Sequence, residues 1–541
     1  MSRTGRREDV YAGAVWVFRS QAAGVTAKGF FSVYVRTIMA SRSLPRRRRR
    51  LVLATGIALV GGAVLVPVVN AAAPAATTTV TTPSAKRLHD DFNGDGYSDV
   101  AIGAPGTALK GQAKAGAVSV LYGSSSGLST SRKQVLTWPS RSTAQPQTRY
   151  GSDLQSGDLD RDGYADLLSL VDMSPVSGYD GRFLAVNWGG PKGLSATPVL
   201  LRNVPANSRG AFVVADVDGD KKPDVAAWGD DYGDETTPGD GSVLHGPFRR
   251  DGASARTTRF TLFPGEEWYA LAMAAGDVTG DGIADLAVSA RQLDGEIGTG
   301  GVALLVGGPS GFTYKGLLKD AQGRLIRGDD VEIGDLDKDG HAEIVVGHSV
   351  DGTDYDVGLP IKGGAIAVVH GGPNGVSTTR KPVWINQDTA GVPGVGEWHD
   401  GMGSGLSIGD TNGDGYLDVA TGLPGEDFDG LTDAGTVLVL RGSANGLTTT
   451  GIKSFSQNTA GVPGTAEKLD RFGSETALVD ADGDKRNGLV VGDWAENANN
   501  GAAWVFSATS SGVTASGSFS FGPSTMGLPA TGALFGASVA D

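Results

Sequence analysis

The chain has 541 residues, 40% hydrophobic and 20% charged, so it is neither a disordered nor a largely membrane-embedded sequence. Its 84 glycines argue for many turns and against long helices, and the lack of cysteine excludes disulfides, a zinc ribbon and a thiol nucleophile. Residues 1–72 hold 12 Lys and Arg against 2 Asp and Glu; the rest, with 34 against 58, is net −24, which speaks against nucleic acid and anionic membranes and for cations.

In chain order, residues 1–38 read as a non-native or dispensable extension. Met39 is a natural start, and residues 13–30 resemble residues 501–519 like a stray copy of a strand pair. Residues 39–72 read as a signal peptide: five arginines at Arg46 to Arg50, an apolar run from Leu51 to Val69, and the small residues Ala71 to Ala73. A retained anchor, needing ~20 apolar residues, is the competing reading. Sec and twin-arginine export both stay open. Residues 73–87 are a flexible linker, rich in Thr, Ala and Pro.

Seven copies of one acidic loop follow, with oxygen-bearing side chains at positions 1, 3, 5 and 9. Loop 1 uses Asp91, Asn93, Asp95 and Asp99; loop 2 uses Asp158, Asp160, Asp162 and Asp166; loop 3 uses Asp216, Asp218, Asp220 and Asp224. Loop 4 uses Asp277, Thr279, Asp281 and Asp285; loop 5 uses Asp335, Asp337, Asp339 and Glu343; loop 6 uses Asp410, Asn412, Asp414 and Asp418. Loop 7 has Asp480, Asp482 and Asp484 but ends on Gly488. Short side chains two residues apart converge as the chain curls, and the glycine at position 6 permits the turn that aims a carbonyl inward. An all-oxygen cage of this kind suits calcium better than magnesium.

An EF-hand is excluded, because position 12 is Ile102 in loop 1 and Thr421 in loop 6 rather than a bidentate Glu. Loops 1, 2, 5 and 6 read as the strongest. Thr279 weakens loop 4, and Lys221 and Lys485 replace the position-6 glycine in loops 3 and 7. Up to seven calcium ions are expected, with loop 7 the weakest.

The flanks of the loops repeat too. A short strand precedes each loop and a second follows it. A third starts on glycine, as in Gly116 to Tyr122 and Gly435 to Arg441, and a turn such as Asn445-Gly446 leads to a fourth. Four antiparallel strands per ~60-residue unit predict an all-β fold, a β-propeller. The first unit lacks the strand before its loop, and the chain ends with such a strand, Leu534 to Asp541. The C-terminal strand is therefore expected to complete the first blade. Seven loops then mean seven four-stranded blades over residues 88–541.

Phe472-Gly473 before a loop, the Asp-x-Asp-x-Asp-Gly-x-x-Asp loop, and Gly103-Ala104-Pro105 after it resemble FG-GAP repeats. These build the seven-bladed propeller at the head of integrin α subunits and also occur in secreted bacterial proteins. The matching segments 386–403 and 456–473, which share Thr-Ala-Gly-Val-Pro-Gly, resemble the bacterial version. In integrins the face opposite the calcium loops binds ligands and the partner subunit. Here that face is expected to carry Tyr179, Tyr232, Tyr355, Trp398, Phe428 and Trp494.

The resulting expectation is a secreted, extracellular, monomeric adhesion or recognition module for a protein or carbohydrate ligand. It would bind no nucleic acid and would not insert in the membrane after signal cleavage. The alternative is a polysaccharide-degrading lyase or hydrolase on a propeller, using His399 or His348 with Arg291. Arg327-Gly328-Asp329 is discounted as an adhesive motif because it is expected to be buried on an inner strand.

Overall fold

The computed structural model describes residues 88–139, 148–173, 181–204, 211–229, 240–261, 268–292, 300–350 and 361–540, all within the unit Val80–Asp541. The proposed extension, signal and linker lie outside these residues, as do Tyr179, Tyr232 and Tyr355.

Seven four-stranded antiparallel sheets follow one another. Blade 2 is Leu154–Gly157, Asp166–Met173, Gly181–Asn187 and Val199–Leu200; blade 3 is Phe212–Ala215, Asp224–Gly229, Asp240–His245 and Arg256–Thr261. Blade 4 is Trp268–Gly276, Asp285–Gln292, Gly300–Val306 and Thr313–Leu317; blade 5 is Asp330–Gly334, Glu343–His348, Ala365–Val369 and Val383–Ile385. Blade 6 is Ser404–Gly409, Asp418–Leu423, Thr436–Arg441 and Thr448–Phe455; blade 7 is Glu475–Val479, Gly488–Asp493, Ala502–Thr509 and Gly512–Phe521.

Blade 1 takes three strands from one end of the chain, Val100–Ala104, Ala117–Leu121 and Lys133–Thr137, and its innermost strand, Val539–Ala540, from the other. Ala101 pairs with Ala540 and Ile102 with Val539. The expected closure is therefore present, and the last strand covers the inner edge of Val100–Ala104. The innermost strands neighbour one another around the ring and line an axial cavity of about 630 Å³.

The strand sequences follow from this packing. Second and third strands lie between two neighbouring blades, so both faces are apolar: every residue of Val100–Ala104, Ala117–Leu121 and Glu343–His348 is buried. Fourth strands face water, and Arg256–Thr261 is mostly exposed and polar. Seven hydrophobic clusters each join two adjacent blades. The cluster that closes the ring packs Ile102 and Leu121 of blade 1 against Val479 and Val490 of blade 7, with Phe535 between them.

The same packing explains the paired glycines. A Cβ on Gly422 would run into the carbonyl of Gly473, and one on Gly103, Gly347 or Gly492 into that of Gly151, Gly403 or Gly536. The penultimate glycine of each of these second strands thus meets the backbone of the glycine that follows Phe, Tyr or Met in the next blade. Helix is almost absent among the described residues: two single turns, Glu496–Asn499 and Pro523–Met526.

One expectation is corrected. Arg327-Gly328-Asp329 ends one residue before the first strand of blade 5 and is not buried: Asp329 is exposed. Polar Asp329 holds the Ser349 backbone N–H at 3.0 Å instead of entering the sheet.

Candidate metal centres

Acidic loops 2 to 7 each join the first and second strands of a blade, and loop 1 leads into the second strand of blade 1, so all seven lie on one face. Loop 1 shows how the residues organise the turn. Asp91 Oδ1 accepts the N–H of Gly94 at 2.7 Å, and Asp91 Oδ2 accepts that of Gly96 at 2.8 Å. Asn93 Oδ1 accepts the N–H of Asp95 at 2.8 Å, and Asp95 Oδ1 that of Tyr97 at 3.2 Å. These short-range bonds curl the backbone and fix one oxygen of each side chain. Gly96 has φ 89°, the left-handed conformation the turn requires. Lys221 and Lys485 adopt it too, at φ 63° and 67°.

The acid at position 9 is fully buried and holds the loop to its sheet. Asp99 Oδ2 accepts the N–H of Phe92 at 2.9 Å and Oδ1 that of Gly123 at 2.8 Å. Asp166 and Asp224 repeat this pair of bonds, and Asp285 takes the N–H of Thr279, at position 3, together with that of Gly307. Asp418 does so with Thr411 and Gly442, whereas Glu343 takes Leu336 N–H and His370 Nδ1. Loop 7 has Gly488 at this point and no such latch. Burial pushes Asp99 and Asp166 up to about 8 against the pull of their backbone donors.

The loops also touch one another. Tyr164 of loop 2 packs over Gly94 of loop 1, His341 over Gly280, Arg486 over Gly413, and Tyr97 over Gly483. Ala165, Ala284 and Ala342 each donate a backbone N–H to the position-1 carbonyl of the preceding loop. The rim is therefore a linked girdle rather than a set of independent turns.

Three features fit a divalent cation. Carboxylate oxygens of Asp216, Asp218 and Asp220, and of Asp335, Asp337 and Asp339, lie within 4.8 Å of one another. Asp335 Oδ1, Asp480 Oδ1 and Thr279 Oγ1 are buried without a hydrogen-bond partner. All donors are oxygens, apart from His245 and His370 at the edges of loops 3 and 5. Calcium held here would neutralise the clustered carboxylates and tie positions 1, 3, 5 and 9 together.

Sequence reasoning missed the basic residues that reach the loops. Arg250 meets Asp160 and Asp162, Arg256 meets Asp218, Arg380 meets Asp337, and Arg486 meets Asp484. His245 Nδ1 lies 3.0 Å from Asp218 Oδ2. Most of these lie outside the repeat motif, and no local pattern announces them.

A family model of the FG-GAP repeat matches residues 89–121 and 402–440, and one of the FG-GAP-like repeat matches residues 216–288. The chain carries FG-GAP repeats. Phosphatidylinositol-glycan-specific phospholipase D of Mus musculus is 31% identical over 142 residues, covering 25% of this FG-GAP chain and 17% of that protein. Integrin alpha-PS5 of Drosophila melanogaster is 32% identical over 124 residues, covering 23% of this chain and 11% of that protein. The match thus spans less than a fifth of either relative's length. Among solved structures, the exotype rhamnogalacturonan lyase YesX aligns over 77% of this chain and 86% of its own, at 15% identity and a TM-score of 0.31.

The opposite face of the FG-GAP propeller carries the inserts between second and third strands and between blades. Trp398 is 49% exposed, with Lys362 Nζ 6.0 Å from its ring; Trp494 is half-buried beside Arg471. Phe428 lines a cleft of about 340 Å³ with Gln387, Pro393, Glu426 and Asn458. The twin Thr-Ala-Gly-Val-Pro-Gly segments fold alike: Gln387 Nε2 donates to Glu426 at 2.6 Å and Gln457 Nε2 to Glu496 at 2.9 Å. Burial pushes Asp400 and Glu496 up to about 7 on this face. Of the candidate catalytic residues, His348 is buried against Trp384, His399 is exposed on the link to blade 6, and Arg291 is exposed in blade 4.

Proposed function

We propose that the chain is an exported, calcium-loaded recognition module that holds no catalytic centre. The observation that carries the calcium part is the seven-loop girdle on one face, with buried oxygens that lack a partner at Thr279, Asp335 and Asp480. Calcium would set the loops and through them the spacing of the blades. That rigid wheel then presents Trp398, Phe428 and Trp494 on the other face for a protein or glycan partner. The acidic charge of the residues after the leader argues for a neutral, cationic or metal-bridged partner over an anionic one.

The calcium reading is tested by elemental analysis of the purified chain and by melting it in excess calcium and in a chelator. A cation that binds only the folded state at ~100 times its Kd adds roughly 2.7 kcal/mol per site, so chelation is expected to lower Tm by several degrees. An unchanged Tm together with no bound calcium ends this reading. The recognition part is tested on a glycan array and by capture from secreted proteins, with Trp398→Ala and Phe428→Ala expected to weaken the hit. Turnover of an acidic polysaccharide that is lost in His399→Ala would favour the enzyme instead.

A further inference from the structure

Loops 1 to 6 differ at position 3, and the difference is matched by an arginine elsewhere in the chain; loop 7, which lacks the position-9 latch, carries Asp482 there with Arg486 on Asp484 instead. Loops 1, 4 and 6 carry neutral residues there: Asn93, Thr279 and Asn412. Loops 2, 3 and 5 carry Asp160, Asp218 and Asp337. Each of these aspartates is held by its own arginine. Arg250 Nε reaches Asp160 Oδ2 at 2.6 Å, Arg256 Nη2 reaches Asp218 Oδ2 at 2.6 Å, and Arg380 Nη1 bonds Asp337 Oδ2. Among the described residues, no lysine or arginine is ion-paired with a carboxylate of loops 1, 4 or 6.

The arginine takes one particular oxygen. In loop 6, Asn412 Oδ1 accepts the N–H of Asp414 at 2.8 Å, while its Nδ2 donates to Asp414 Oδ2 at 2.9 Å. In loop 2, Asp160 Oδ1 accepts the N–H of Asp162 at 3.2 Å, while Oδ2 faces Arg250. The Arg250 guanidinium then goes on to donate to Asp162 Oδ2. It does for loop 2 what the asparagine amide does for loop 6. The Oδ1 bond to the position-5 N–H recurs in Asp218 at 3.1 Å and Asp337 at 3.2 Å. At the ligand positions, loops 1, 4 and 6 hold three carboxylates each, and loops 2, 3 and 5 hold four carboxylates paired with one arginine from outside the loop. Counted over those groups alone both arrangements sum to −3; the rim cations Arg161 of loop 2, Lys221 and Lys222 of loop 3 and Lys338 of loop 5 come on top.

We propose that Arg250, Arg256 and Arg380 are positioning residues that make a position-3 aspartate electrostatically equivalent to an asparagine. Loops 1, 2, 3, 5 and 6 then offer a divalent cation the same position-3 oxygen within the same carboxylate–arginine charge, and loop 4 offers the Thr279 hydroxyl in its place. This rests on the reading of the loops as calcium sites. It goes further, because it assigns a task to three residues outside the repeat motif.

The test uses the full chain and compares wild type, Arg250→Gln, Asp160→Asn and Asp160→Asn/Arg250→Gln. Bound calcium is counted by elemental analysis, affinity is measured by competition with a chromophoric chelator, and Tm is read in excess chelator. Arg250→Gln is expected to leave the calcium count unchanged and to tighten one site roughly tenfold, because a fourth carboxylate loses its partner. It is also expected to lower the chelator Tm by up to roughly 1 °C. Asp160→Asn alone is expected to weaken one site roughly tenfold. The double variant, which copies loop 6, is expected to return affinity and Tm to wild type. A count raised by one in Arg250→Gln overturns the proposal, since the guanidinium then occupied the ion's place. So does a double variant as unstable as Arg250→Gln, which makes the arginine a structural clamp. A wild-type count of zero removes the calcium reading and this proposal together, whereas the other two failures leave calcium binding intact.

Discussion

Phe535→Ala tests the ring closure directly. Phe535 is fully buried and belongs to the cluster that joins blades 7 and 1. Its ring meets Phe521 edge-on at 5.5 Å, and its N–H donates to the Asn500 carbonyl at 3.1 Å. Just beyond it, Gly536 N–H bonds the Gly103 carbonyl and Ser538 accepts the Gly103 N–H, each at 2.9 Å. Val539 and Ala540 then pair with Ile102 and Ala101. Removing a buried Phe ring costs about 3–5 kcal/mol when the surroundings cannot collapse onto the gap. Unfolding entropy near 2.1 cal/mol/K per residue gives roughly 1 kcal/mol/K for ~450 residues, so Tm is expected to fall by roughly 3–5 °C. Hydrogen exchange should also rise over Val100–Ala104 and Glu475–Val479, which the tail joins. The assay is calorimetry with exchange mass spectrometry, with Tyr314→Ala on an exposed outer strand as the control. A fall below 1 °C, or exchange spread evenly over all blades, would refute the idea that the tail locks the wheel.

Other expectations follow from the same contacts. Asp99→Ala leaves the N–H groups of Phe92 and Gly123 without an acceptor, costing roughly 2–5 kcal/mol even in chelator. Asp95→Ala, at an exposed position, should matter only when calcium is present; equal losses for both in chelator would contradict the division. Gly422→Ala drives a methyl into the Gly473 carbonyl and is expected to cost about 1–3 kcal/mol, read as a lower denaturation midpoint. Around the axial cavity, burial raises Asp153 to about 7, Asp330 to about 6, and Glu475 well above its ordinary range. A raised carboxylate favours the protonated folded state, so its contribution is full below the unfolded pKa and is lost as pH climbs through the folded value. Glu475→Gln is therefore expected to raise Tm at pH 8 and to change little at pH 4; the same gain at both would sink the assignment.

Much of this molecule was legible because its decisive patterns are local. Asp91, Asn93 and Asp95 bond to N–H groups two to five residues away, so the loop is written in one short stretch. The strand-turn-strand flanks repeat with the loops, and the unmatched strand at the tail implied closure before any contact was known. Other features depend on partners that no window contains. Asp99 could be read as a ligand, but its role as a latch needs Gly123, which the third strand of the blade brings back beside it. Arg327-Gly328-Asp329 reads as part of an inner strand, but that strand begins at Asp330, just after it.

The sequence by itself determined the number of blades, the acidic face and the strand that closes the ring, because periodicity and short-range hydrogen bonding act within each repeat. Only the tertiary structure decided which charges are shared. Arg250 and Asp160 lie far apart along the chain and in different blades, and they meet because neighbouring sheets stack and carry their turns onto one rim. Coulomb energy depends on distance in space, and the chain's order does not encode that distance until the wheel has closed.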